Sequence, residues 1–171
     1  MDLAFKFSKT FQKLVRGTNI SEQTLLATDY LNHFNEVIMM LELVPDMPDM
    51  LDEARTWQPK TYQQHFEDSA FSDKELAIAA YDHAPGQYRI PFDETTAEIN
   101  NMVHQGMDEI AGVLESGNPE QVRLSVFQVT EGIQKKMDIL SAIVNGDIGG
   151  DKSAEDEAAT LDQAEIDALF D

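Results

Sequence analysis

The sequence predicts an all-α protein, a helical bundle centred on a long antiparallel helical hairpin, followed by a disordered tail with a short terminal helix. Three observations predict it. Apolar residues recur at helical spacing along most of the chain, and no stretch alternates with the period of two that marks a half-buried strand. Two long amphipathic runs, about 94–116 and 119–145, are joined by two or three residues, so they must fold back antiparallel. Residues 146–160 carry one apolar side chain larger than alanine, Ile148, too little to offset the entropy of ordering them. The expected organisation is a bundle over 1–146, an acidic linker over 147–160 and a short helix over 161–171.

In order along the chain, a first amphipathic helix covers residues 3–16 and stops at Gly17. A second is expected from near Ser21 to about Val44, where Pro45 blocks it, with Ala27, Leu31, Phe34, Ile38 and Leu41 on one stripe. A short helix follows over about 48–57. Residues 58–70, QPKTYQQHFEDSA, read as irregular, and Trp57, Tyr62, His65, Phe66 and Phe71 as a satellite core around them. Ser72 and Glu75 have capping-box spacing for a helix of about 73–83. APGQYRIPF (84–92), punctuated by Pro85, Gly86 and Pro91, reads as a loop.

The hairpin has the clearest signals. Asp93 is the expected cap of its first helix, whose core face holds Ile99, Val103, Gly106, Ile110 and Leu114, and Gly117 ends it. Asn118 caps the second, with Pro119 at the first helical position and Gln121 placed to close a box. Val122, Val126, Val129, Ile133, Met137, Leu140 and Val144 follow in steps of three and four, until Asn145 and Gly146 stop the helix.

Composition narrows the function. The net charge is -20, from 32 acidic and 12 basic residues, which argues against nucleic acid and against anionic membrane surfaces. A basic protein surface is the natural complement. The charge is uneven: residues 147–171 hold nine acids and one lysine, while the first 20 carry a net +3. The absence of cysteine excludes disulfides and thiolate metal sites and fits a cytoplasmic location. No apolar run approaches the roughly 18 residues of a membrane span, and MDLAFKFSKTFQKLVRG does not read as a secretory signal.

The stretch LDQAEIDALFD (161–171) has the build of a docking helix. Asp162 is a good N-cap with Glu165 three residues on, and Leu161 precedes it. Ile166, Leu169 and Phe170 share one face, ringed by Asp162, Glu165, Asp167 and Asp171. So short a helix is marginal alone and would fold on a groove. The alternative is that it packs back on its own bundle.

This stretch resembles the peptide by which flagellar and chemotaxis proteins dock on the response regulator CheY. It is similar to the N-terminal segment of the FliM switch proteins and to the C-terminal tail of the CheZ phosphatases. Gln163, Ala164, Glu165, Ile166, Asp167, Ala168 and Leu169 match the pattern; Asp162 stands for the usual Ser and Phe170 for a Leu, both keeping their character. The resemblance implies a CheY-like receiver domain as partner, with Leu161, Asp162, Gln163, Glu165, Ile166, Asp167, Leu169 and Phe170 at the contact.

The order of hairpin, linker and docking peptide also resembles CheZ. FQVTEG (127–132) is similar to the CheZ segment FQDLTG at Phe127, Gln128 and Gly132. Val129 stands where that family has its acid and Ile133 where it has the water-orienting glutamine, so the catalytic pair does not carry over. An auxiliary phosphatase needs only an amide to position water, because the receiver brings its own Mg2+ and lysine; no cofactor of the chain itself is expected. Gln128, Glu131 and Gln134 are the candidates. Phe127, Glu131, Gln134 and Asp138 form a stripe off the valine face, which suits a partner or, alternatively, the outer face of a bundle with Phe127 under an N-terminal helix. Glu98 and Asn101 have the spacing of the acid–amide pair of the CheC, CheX and FliY phosphatases, families of a mixed α/β fold.

Other constellations read as structural. Asp29, His33 and Glu36 have metal-ligand spacing, but they lie opposite Leu31, Phe34 and Ile38 and read as a solvated face. His104 and Asp108 read as surface residues. The leading expectation is a chemotaxis or motility protein that binds a CheY-like receiver, as an adaptor or a phosphatase. The rival is a structural bundle whose tail serves oligomerisation or self-capping. An open hairpin with an apolar seam also suits a homodimer.

Overall fold

The structure, a computed structural model, describes residues 3–147, with side chains from Ser8 onward. Linker residues 148–160 and the short helix expected at 161–171 lie outside the described residues. The helices are α1 (Leu3–Leu14), α2 (Asn32–Leu43), α3 (Met50–Thr56), α4 (Tyr62–Asp68), α5 (Lys74–Tyr81), α6 (Gly86–Ser116) and α7 (Pro119–Val144). One isolated bridge, Ile20 to Ala27, is the sole extended pairing among the described residues, so the fold is all-α. None of these helices is long and apolar enough to cross a membrane.

The α6–α7 hairpin is the frame. Gly117 turns the corner at φ 72°, a left-handed conformation that suits glycine, and the Asn118 side-chain oxygen accepts from the backbone N–H groups of Glu120 and Gln121. Helix α6 runs 31 residues, about 46 Å at the usual rise. On the inner side, α2 packs on α7 and α3 on α6. Ile99, Val103 and Ile110 of α6, Ile133 and Leu140 of α7, and Phe34, Val37 and Leu41 of α2 are fully buried there.

The sequence expectations fail at several places along the chain. The second helix does not start near Ser21. One turn forms there, with Thr24 N–H on Ser21 Oγ, and Leu25 at φ 62° breaks it. Leu25, Leu26 and Ala27 are all fully buried, which a helix with one buried stripe cannot achieve. The Thr24 hydroxyl instead donates to the Val144 carbonyl at the end of α7, and a 3-10 turn, Thr28–Leu31, leads into α2.

Residues 58–70 are not irregular throughout. Thr61 and Gln64 close a capping box that starts α4, so Tyr62 and Phe66 join the main core rather than a satellite. The Ser72–Glu75 box does not form; Asp73 sits at the N-cap without a side-chain cap bond. The supposed loop 84–92 is the start of α6, which runs through Pro91. Proline costs one backbone hydrogen bond and some crowding. Burial of Tyr88, Phe92 and Thr95 on the same face offsets that cost. Asp93 is therefore inside the helix, where it accepts a hydrogen bond from the Tyr81 hydroxyl.

Gly106 sets the distance between α6 and α7. A Cβ there would lie 2.4 Å from Val129 Cγ1 and 3.3 Å from Cγ2, so Val129 must leave its rotamer, which a β-branched side chain in a helix does only at a cost. Gly106→Ala should lower stability by about 1–3 kcal/mol despite alanine's better helix propensity, and Val129→Ala in the same chain should restore most of it. Urea unfolding of the single and double variants checks this.

Candidate functional site on the open face of the hairpin

Where α2 and α3 do not cover the hairpin, small residues leave a groove between α6 and α7. Gly106 faces Val129, and a Cβ at Gly132 would meet Met102 Cε at 3.3 Å. A depression of about 230 Å³ lies between Met102, Gln105 and Glu109 on one side and Gln128 on the other. Glu109 and Gln128 are shared with a wider depression next to it that reaches Gly112 and Leu124. Gln128 thus stands at the middle of a continuous groove.

The other sequence-predicted residues of α7 lie on a different stripe. Phe127 is 61 % exposed, so it is not covered by an N-terminal helix. Glu131 pairs with Lys135 at 3.4 Å, and the Gln134 amide donates to Asp138 at 3.3 Å. Gln128 and Gln134 are about 120° apart around the helix, so they do not converge on one point. Glu131 lies between them. The pair Glu98 and Asn101 is exposed on α6, but the Glu98 carboxylate is held by Lys136 across the hairpin at 2.5 Å.

Ile133 takes a core position, while Val129 is half-buried at the edge of the groove. Val129 packs on Gly106 and Ile133 has no exposure. In the ungapped CheZ-like placement, the glutamine position is buried and the acid position is half-buried against Gly106.

His33 is not on a solvated face. Its ring is 2 % exposed and stacks on Trp57 at 4.5 Å. Trp57 Nε1 donates to the His33 carbonyl, and His33 Nε2 accepts from the Lys60 N–H at 3.0 Å. An accepting Nε2 carries no proton, so the neutral ring holds it on Nδ1. Burial, then the nearby His65 and Lys60, holds the pKa down to about 4. Asp29 pairs with His65 at 3.0 Å rather than joining His33 and Glu36. Among the described residues, no three His, Cys, Asp or Glu side chains are grouped to hold a metal. His104 is exposed with Nδ1 on the Asn100 carbonyl, and Asp108 meets Arg55 at 3.3 Å.

The sequence reading missed an apolar stripe on α2 and just past it. Met39, Leu43 and Met47 are spaced by four and 65, 46 and 54 % exposed. The spacing was readable, but which apolar stripe of a helix turns inward depends on its neighbours. The docking residues Leu161, Asp162, Gln163, Glu165, Ile166, Asp167, Leu169 and Phe170 lie outside the described residues. Compared with protein-family models, with curated proteins and with solved structures, the chain has no significant match.

Proposed function

We propose that the chain is a chemotaxis or flagellar-motility protein that binds a CheY-like receiver domain through residues 161–171. The observation that carries this reading is the peptide LDQAEIDALFD, with a cap, three apolar anchors on one face and a ring of acids. The acidic residues before it act as a tether that raises the concentration of the bundle near the bound receiver. The open hairpin face supplies a second contact, with Phe127 exposed beside Glu131 and Gln134.

Of the two versions, the binding adaptor is favoured over the phosphatase. The burial of Ile133 and the packing of Val129 leave no acid–glutamine pair where CheZ carries it. A phosphatase would have to use Gln134 with Glu131 or Asp138, or Gln128 from the groove, with the Mg2+ held by the receiver. The same groove, with exposed Leu124 in its lining, also suits a second copy of the chain, so a homodimer through the hairpin belongs to this proposal.

Calorimetric titration into a CheY-type receiver, with and without beryllofluoride, tests it. The intact chain should bind, more tightly to the activated receiver, and the chain ending at residue 160 should not. No binding by the intact chain to several such receivers sinks the proposal. If the truncated chain instead melts lower or changes its sedimentation, the tail serves self-capping or oligomerisation. Receiver dephosphorylation unchanged by intact chain and by a Gln128→Ala/Gln134→Ala variant alike decides for the adaptor.

A further inference from the structure

A cavity of about 330 Å³ lies away from the hairpin groove, between α6 and the segment Pro59–Tyr62. One wall is the stripe Asp93, Thr96, Ala97 and Asn100, at i, i+3, i+4 and i+7 on α6. The opposite wall is pinned and its backbone is already used. The Tyr30 hydroxyl donates to the Lys60 carbonyl, and the Lys60 N–H donates to His33. Tyr30, Tyr62 and Phe92 make the apolar floor.

Two side-chain atoms in the described residues are buried without a hydrogen-bond partner, Thr96 Oγ1 and Asn100 Oδ1. Their residues both line this one wall, and the two atoms lie just beneath its surface, so a donor reaches them as the two side chains turn outward. Leaving a buried polar atom unpaired is costly, and folded proteins rarely do so without a reason. Two such atoms one turn apart on the same helix face can converge on a single donor.

Charge indicates which kind of donor. Asp93 sits at the rim and already accepts from Tyr81. Burial first, then Asp93, pushes the phenols of Tyr30 and Tyr81 above their ordinary range, so this site disfavours added negative charge. Lys60, the one cation of the lining, has its ammonium on Asp68 at 3.1 Å. Nearby Arg89 donates to the Asp82 carbonyl. The wall therefore offers acceptors at two levels over an apolar floor. Asp93 and Asn100 are about 10 Å apart along the helix, too far for one ammonium to meet both. Two nitrogens about 6 Å apart, each reaching about 2.9 Å to an acceptor, span that length.

We propose that this cavity binds a small aliphatic diamine, one ammonium on Asp93 and the other on Thr96 Oγ1 and Asn100 Oδ1, its methylene stem lying on Tyr30, Tyr62 and Phe92. Cavities of this size hold small ligands, and an apolar stem with a polar group at each end fits the lining. The site is independent of the receiver-docking proposal.

The test is a ¹⁵N NMR titration of the whole chain with 1,4-diaminobutane at about 0.15 M salt, where diffuse attraction to the acidic surface is screened. Saturable shifts are expected at Thr96, Ala97 and Asn100. Asp93→Asn and Thr96→Val should each weaken binding about tenfold, the equivalent of one charge-assisted hydrogen bond. Thr96→Val replaces an unpaired hydroxyl by a methyl and should leave the ligand-free fold as stable or more so, which keeps the test clear of unfolding. The neutral 1,4-butanediol should not bind, and butylammonium should bind more weakly than the diamine. The proposal is overturned by no saturable shift at millimolar diamine, by equal binding of the diol, or by variants that bind like the parent chain.

Discussion

Replacing Ile166, Leu169 and Phe170 together by alanine is expected to lower affinity for an activated CheY-type receiver by about a hundredfold or more. Each side chain is worth about 1.5–3 kcal/mol when fully buried, and a groove that takes all three recovers a good part of that. Alanine does not weaken the helix itself, so the loss reports lost anchors rather than lost helicity. The acids act differently. Asp162→Ala removes the cap and should cost about fivefold through the price of ordering the helix. Asp167→Asn should mainly reduce the association rate and its salt dependence, as a rim charge does. Surface plasmon resonance at two salt concentrations separates these effects. Unchanged affinity in the triple variant would remove residues 161–171 as the anchor and leave the hairpin face as the contact.

The hairpin was legible because its signals are local and agree with one another. Gly117, Asn118 and Pro119 specify the corner, and seven apolar residues of α7 keep one stripe over most of its length. The start of α2 was hidden because Leu25, Leu26 and Ala27 are buried from several sides at once, which no helical period encodes. At Pro91 the local rule lost to packing, since Tyr88 and Phe92 anchor the turn on either side of it. Helix α4 is different: Thr61 and Gln64 stand in the sequence at box spacing, a local signal that needs no tertiary context.

The candidate site divides in the same way. Exposure of Glu131 and Gln134 followed from their position off the valine stripe. The place of Gln128 in a groove did not, because it depends on Gly106 and Gly132 bringing two helices close, and a period describes one helix at a time. The unpaired Thr96 and Asn100 were beyond reach for that reason too: both look like ordinary polar positions on an exposed helix until the Pro59–Tyr62 segment is laid over them.

That segment is held by a proton-sensitive bond, which makes stability depend on pH. His33 titrates at about 4 in the folded chain and near 6.5 when unfolded. Its folded pKa is depressed, so between these values the unfolded chain binds more protons, and stability rises with pH. The contribution is complete above about pH 6.5 and is lost as pH falls toward 4. From pH 7 to pH 5 the loss from this residue should be about 2 kcal/mol. His33→Gln keeps an oxygen to accept from the Lys60 N–H and cannot titrate in this range. Urea unfolding of both chains at each pH should therefore show the parent losing about 2 kcal/mol more than the variant. Equal losses would assign the acid sensitivity to other groups. A protonated Nε2 cannot accept, so the same acid step frees the Lys60 backbone and loosens the wall of the Thr96–Asn100 cavity.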